Sequence, residues 1–237
     1  MMNDRSLVVA KINFRNIKLA YLFTIIVFLG VIIQDLVFII LEYAGVYSGN
    51  ADNTTVGIGN YFFLVVIFGA IFIPSKHFRR IMNLGGKRAN YIKGCGVTYI
   101  IMAAAVSLIG IILYYTYERF VTLSYYGGGS LNVMDVFGWM NNGPVVAFFQ
   151  QFAFLLLLAS VIHTLTAAQD KWYGWAADVI IVAIISVFTP IAPLRAVLVS
   201  FFRLIIFSQA PLQIAACIVL AAAVYMLNKP IFARRVI

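Results

Sequence analysis

Residues 144–166 read PVVAFFQQFAFLLLLASVIHTLT, a run without a single Asp, Glu, Lys or Arg. A helix rises about 1.5 Å per residue, so about 20 apolar residues cross the roughly 30 Å hydrocarbon core of a bilayer. This run is long enough for that and has no polar face to turn toward water. Five further stretches of the same kind lie near 19–41, 56–73, 96–117, 175–191 and 211–227. The 237-residue chain is 63% hydrophobic and 11% charged, with a mean hydropathy of +0.98. A soluble domain runs nearer about 45–50% apolar and about 25% charged. The pattern predicts an all-α integral membrane protein, one transmembrane domain over 1–237 with six spanning helices.

Charge decides the orientation. Lys and Arg concentrate in the N-terminal segment (Arg5, Lys11, Arg15, Lys18) and between the second and third spans (Lys76, Arg79, Arg80, Lys87, Arg88, Lys93). Lys171 follows the fourth span, and Lys229, Arg234 and Arg235 follow the sixth. Only Arg119, Arg195 and Arg203 fall in the alternate connections. The positive-inside rule then predicts both termini on the cytoplasmic side of a multi-pass membrane protein. The N-terminal run is too long for a signal-peptide core and no small-residue cleavage site follows, so it is expected to be retained. Residues 7–18 mix Val8, Val9, Ile12, Phe14 and Ile17 with Lys11, Arg15 and Lys18, which suits an interfacial helix on the inner leaflet or a plain basic anchor. On the outer side, 118–143 carries Gly127, Gly128 and Gly129 as a flexible bend. Residues 192–210 are apolar but interrupted by Arg195 and Arg203 and bracketed by Pro190, Pro193 and Pro211. A short amphipathic or re-entrant segment between spans five and six is expected, because a seventh full span would carry the basic C-terminus outside.

Several chemistries lack their parts. Gly85-Gly86-Lys87-Arg88 has neither the spacing nor the hydroxyl of a nucleotide-binding P-loop. His77 and His163 stand apart, with no paired acids and no nucleophile motif, so no enzyme, metal site or cofactor is expected in this chain. The net charge of +9 follows from topology and gives no nucleic-acid signal. Cys95 and Cys217 lie in apolar runs and read as buried free thiols. Polar groups inside spans are costly, about 2.5–3.5 kcal/mol for a charge at the helix centre, and so are candidates for a role. Gln34 and Asp35 near the outer end of span one, with Gln150 and Gln151 at the outer start of span four, form a candidate substrate path or gate at one depth; interhelical hydrogen-bond glue is the alternative. Asp178 and His163 fall near the inner ends of their spans. Trp139, Trp172, Trp175, Tyr125 and Tyr126 read as belt anchors.

The remaining island is FRRIMNLGGKRANYIKG, residues 78–94, between spans two and three. Phe78, Ile81, Met82 and Leu84 make an apolar stripe on a short helix, with Arg79, Arg80 and Lys87 directed elsewhere. Gly85, Arg88, Tyr91 and Gly94 match a Gly-x-x-Arg-x-x-aromatic-x-x-Gly pattern, which resembles that of type 2 ABC transporter permeases; Lys87 stands where that family more often has a small polar residue. The six spans, inside termini, N-terminal interfacial helix and basic tail resemble that family too. The resemblance implies a coupling helix that inserts into a separate cytoplasmic P-loop ATPase subunit, through Phe78, Arg79, Ile81, Met82, Leu84, Gly85, Lys87, Arg88 and Tyr91. It also implies ATP and Mg held by that partner, a second permease copy or paralogue, and a bacterial cell membrane. Small Gram-positive exporters of amphipathic or antimicrobial peptides, such as phenol-soluble modulins, are the most similar subgroup; drugs and lipids are other substrates of the family. The alternative is a stand-alone ion-coupled transporter or channel using Asp35 and Asp178.

Overall fold

The computed structural model describes residues 4–46, 55–119 and 130–233; Tyr125, Tyr126, the triple glycine, Arg234 and Arg235 lie outside them. The described residues form nine helices: α1 (Asp4–Asn16), α2 (Lys18–Tyr43), α3 (Ile58–Asn83), α4 (Arg88–Glu118), α5 (Val133–Val136), α6 (Pro144–Ala168), α7 (Trp172–Phe188), α8 (Ala192–Phe207) and α9 (Ala210–Ala233). Beyond them there is only a 3₁₀ turn, Trp139–Asn142, and one two-residue parallel pairing of β1 (Thr55–Val56) with β2 (Ser130–Leu131). Helices α2, α3, α4, α6 and α9 are each long and apolar enough to cross a membrane. Helices α7 and α8 pass that test only together, and the pair is bent by 118°. The result is an all-α architecture with five apolar spanning-length helices, six when the bent pair is counted as one.

The stretch that predicted the fold becomes its hub. Helix α6 packs against α3, α4, α7 and α9. Ala147, Ala153, Ala159, Ser160 and Ala167 are buried along it, and such small side chains let neighbouring backbones approach closely where lipid supplies no hydrophobic drive. By contrast, α2 buries only Ala20, Thr24 and Asp35, and α7 only Gly174. The first presents Ile, Leu, Val and Phe side chains outward and the second Ile, Val and Trp, at opposite ends of the element order. Trp172 and Trp175 are exposed, as belt anchors would be, whereas Trp139 is not one. It is 1% exposed, packs against Phe137 and Phe154, and donates from Nε1 to the Ile206 carbonyl at 2.9 Å.

Contacts sort the helix ends into two groups. One end gathers α1, the α3–α4 turn, the α6–α7 connection and the last turn of α9. It holds every described Lys and Arg except Arg119, Arg195 and Arg203, and is called the basic end below. The opposite end gathers 55–60, Glu118, 131–142 and 205–213. Three helices widen into a π turn near an end, at Ile73–His77, Tyr114–Glu118 and Arg203–Phe207. Pro74 sits in the first of these, where its missing N–H removes a helical hydrogen bond. The helix therefore continues past 73, the predicted end of the span, to Asn83.

Helix α1 is more than a surface anchor. Ser6, Val9, Ala10, Asn13 and Ile17 recur at helical spacing and are buried, and the helix packs on α4, while Arg5, Leu7, Val8, Lys11 and Arg15 face away. Asn13 Nδ2 reaches Thr98 Oγ1 at 3.3 Å and Cys95 Sγ at 3.6 Å. The close approach depends on Gly94, where an added Cβ would lie 2.6 Å from Val9 Cβ and 2.9 Å from the Ser6 carbonyl oxygen. Gly94→Val is therefore expected to lift α1 from α4. Cys95, fully buried beneath Asn13, would become open to alkylation by a maleimide, with buried Cys217 as the internal control; an unreactive Cys95 in that variant would refute the packing argument.

Candidate functional site

The basic end carries the motif residues, and the structure divides them into two sets. Phe78, Ile81, Met82 and Tyr91 are buried. The apolar stripe expected to face a partner is instead packed into the chain's own core, because the widened turn at Ile73–His77 aims Phe78 inward. Phe78, Tyr91 and Phe232 form an aromatic cluster with centroid separations of 4.8–5.3 Å. Tyr91 Oη donates to the Ile73 carbonyl at 2.9 Å, supplying a donor where the π turn departs from α geometry. Arg88 turns toward the chain's other end and donates from Nη1 to the Ala233 carbonyl at 2.8 Å. These residues lock α3, α4 and α9 together.

The second set is outward. Arg79, Arg80, Leu84, Gly85, Gly86 and Lys87 are exposed, Leu84 at 75%. The two glycines have a local cause. Gly86 N donates to the Ile81 carbonyl at 3.0 Å and Gly85 N to the Met82 carbonyl at 2.9 Å, the paired bonds of a Schellman helix stop. Gly85 adopts φ of 78°, which L side chains disfavour, and a Cβ on Gly86 would lie 2.7 Å from the Ile81 oxygen. Lys87 then starts α4 in an extended conformation. The outcome is a rigid, basic turn with an apolar residue at its tip. Beside it, Arg5, Val8 and Ile12 of α1 face Leu84, Gly85 and Lys87 across a groove of about 300 Å³ with an apolar floor and a basic rim.

The candidate path residues separate. Gln34 is exposed on α2. Asp35 accepts from Tyr117 Oη at 2.7 Å, tying α2 to the end of α4. Gln150 accepts from Asn142 Nδ2 at 3.2 Å, and its backbone carbonyl receives Gln213 Nε2 at 3.4 Å. Gln151 lies against Gly110, where a Cβ would sit 3.1 Å from its Nε2. Asp35, Gln150 and Gln151 therefore engage different neighbours. Asp178 accepts from Gln169 at the basic end, and Asp35 lies toward the opposite one. His163 Nδ1 meets Tyr99 Oη at 2.6 Å within rings of Tyr225 and Phe232. Among the described residues no three His, Cys, Asp or Glu side chains converge as a metal site requires.

One polar centre was not singled out by sequence. Glu118 is 5% exposed, accepts from Gly59 N at 2.9 Å and from Asn132 Nδ2 at 2.6 Å, and so joins the starts of α3 and α5 to the end of α4. Asn132 also caps α5 through Met134 N at 2.8 Å, and Asn60 receives Val133 N at 3.1 Å. Asn directly before the apolar Val133-Met134 was the available signal, a helix N-cap. Set beside protein-family models, curated proteins and solved structures, the chain matches none.

Proposed function

We propose that this chain is the membrane-spanning subunit of an ATP-binding-cassette exporter, a transport subunit rather than an enzyme. It would span a bacterial cell membrane six times, with its basic end in the cytoplasm, α7 as the fifth span and α8 turning back as a re-entrant segment on the outer face. ATP and Mg would be held by a separate cytoplasmic P-loop ATPase, and the cargo would be an amphipathic substrate, a toxin or antimicrobial peptide foremost.

The observation that carries the proposal is the Leu84–Lys87 turn. An exposed leucine at the tip of a Schellman turn between two spanning-length helices is suited to seating in another protein's cleft. The buried Phe78–Tyr91–Phe232 cluster below it would pass a displacement of the turn to α3, α4 and α9 together. The uncovered apolar faces of α2 and α7 leave area for lipid and for a second permease copy or paralogue.

The burial pattern selects the variants that test the proposal. Leu84→Asp combined with Lys87→Glu alters only exposed side chains, so the melting temperature of the purified subunit should not change. Co-purification with a cytoplasmic P-loop ATPase, and export by the complex, are expected to fall roughly tenfold or more, the size of a central interface contact. Unchanged export, or cross-links from residues 84–87 that never reach an ATPase, would remove the proposal.

A further inference from the structure

A second recess at the basic end lies between the first turns of α4 and the last turn of α9. It has a volume of about 320 Å³ and is lined by Arg88, Ala89, Ile92, Lys93, Lys229 and Ala233. Three of the six are cations and none is an acid. Lys93 and Lys229 are exposed. Lys93 stands more than a turn inside α4, a helix long and apolar enough to cross a membrane. At that depth a lysine lays its methylene stem along apolar surface and carries its ammonium to the level of the headgroups. Ala89 and Ile92 supply that surface. Arg88 adds a fixed positive charge at the wall, its guanidinium already oriented by the Ala233 carbonyl.

Lys93 and Lys229 bring two exposed ammonium groups to one recess, and the arrangement gains most from a compact anion with several acceptor oxygens. We propose that this recess binds a phosphate group at headgroup depth, the chemistry shared by an anionic phospholipid and free phosphate. The groove beside Leu84 is separate: it has two cations on an apolar floor and shares no lining residue with this recess. The proposal needs only that α4 and α9 cross a membrane, and it stands whatever the chain transports.

Native mass spectrometry of the detergent-solubilised full chain provides the test, with phosphatidylglycerol and phosphatidylcholine titrated in parallel and inorganic phosphate as a third arm. Phosphatidylglycerol should be retained over phosphatidylcholine. Lys93→Gln and Lys229→Gln should each weaken that retention roughly fivefold, the scale of one basic side chain at an anionic surface. Arg195→Gln with Arg203→Gln, at the opposite end, should leave it unchanged. Lysine-dependent binding of inorganic phosphate without lipid selectivity would identify a free anion as the occupant. Equal retention of both lipids together with no phosphate binding, or phosphatidylglycerol retention that survives the double lysine variant in a folded protein, would overturn the proposal.

Discussion

Tyr91→Ala is expected to destabilise the protein by about 3–5 kcal/mol, the range for truncating a fully buried aromatic residue. Tyr91 is 0% exposed, with ring contacts to Phe78 and Phe232 at 5.2 and 5.3 Å. Truncation opens a void between three helices and removes the Tyr91 hydroxyl's hydrogen bond to the Ile73 carbonyl at 2.9 Å. Tyr91→Phe keeps the ring and loses only the hydroxyl, so about 1–2 kcal/mol is expected. Thermal unfolding of the purified chain in a fixed detergent would rank the three proteins. Equal melting temperatures for wild type and Tyr91→Ala would contradict the packing described. The experiment also bears on transport assays. A loss of export in Tyr91→Ala reports on folding first, so Leu84 and Lys87 are the positions at which a partner can be probed cleanly.

Glu118→Ala should have the second large effect, about 3 kcal/mol or more. It removes the acceptor for the Gly59 amide and the Asn132 side chain together, and hydrogen bonds to a carboxylate contribute about 1.5–3 kcal/mol each. The site has no room to rearrange: a Cβ on Gly57 would already lie 2.9 Å from the Glu118 carboxyl and 3.1 Å from Asn132 Cα. Glu118→Gln retains one acceptor oxygen and should recover part of the loss. Protease sensitivity of the 118–143 connection, followed with the melting temperature, separates local opening from global unfolding. A Glu118→Ala protein as resistant and as stable as wild type would show that the carboxyl does not hold this end together.

Long apolar runs made the spanning-length helices legible, because about 20 residues without a polar face leave few other structures open to the chain. Their ends were less so. Helix α4 starts at Arg88, ahead of the predicted 96, since Arg88 and Lys93 interrupt the apolar run although Tyr91, Gly94 and Cys95 between them are buried. Proline and lysine likewise hid the continuation of α3 beyond 73. Of the expected stripe of Phe78, Ile81, Met82 and Leu84, the first three share a buried face and Leu84 stands outside it; a stripe does not say whether it meets a partner or the chain's own aromatic residues. Trp139 was misplaced and Glu118 went unnoticed for a related reason. In the sequence both fall within the polar, glycine-containing stretch 118–143, and only tertiary contacts with Ile206, Gly59 and Asn132 bring them inside.

The widened turn at Ile73–His77 has a consequence for angle. Along α3 the buried positions Val66, Ala70, Ile73 with Pro74, His77 with Phe78, and Ile81 with Met82 recur about every four residues, whereas an α-helix repeats about every 3.6. The π turn absorbs the surplus, about one residue, and keeps both halves of α3 in phase. Wound as α with the same residues, everything beyond the turn would rotate by about 100°, and Arg80 would stand where Ile81 now stands. The orientation of the basic turn is therefore set by a single residue's worth of helical winding.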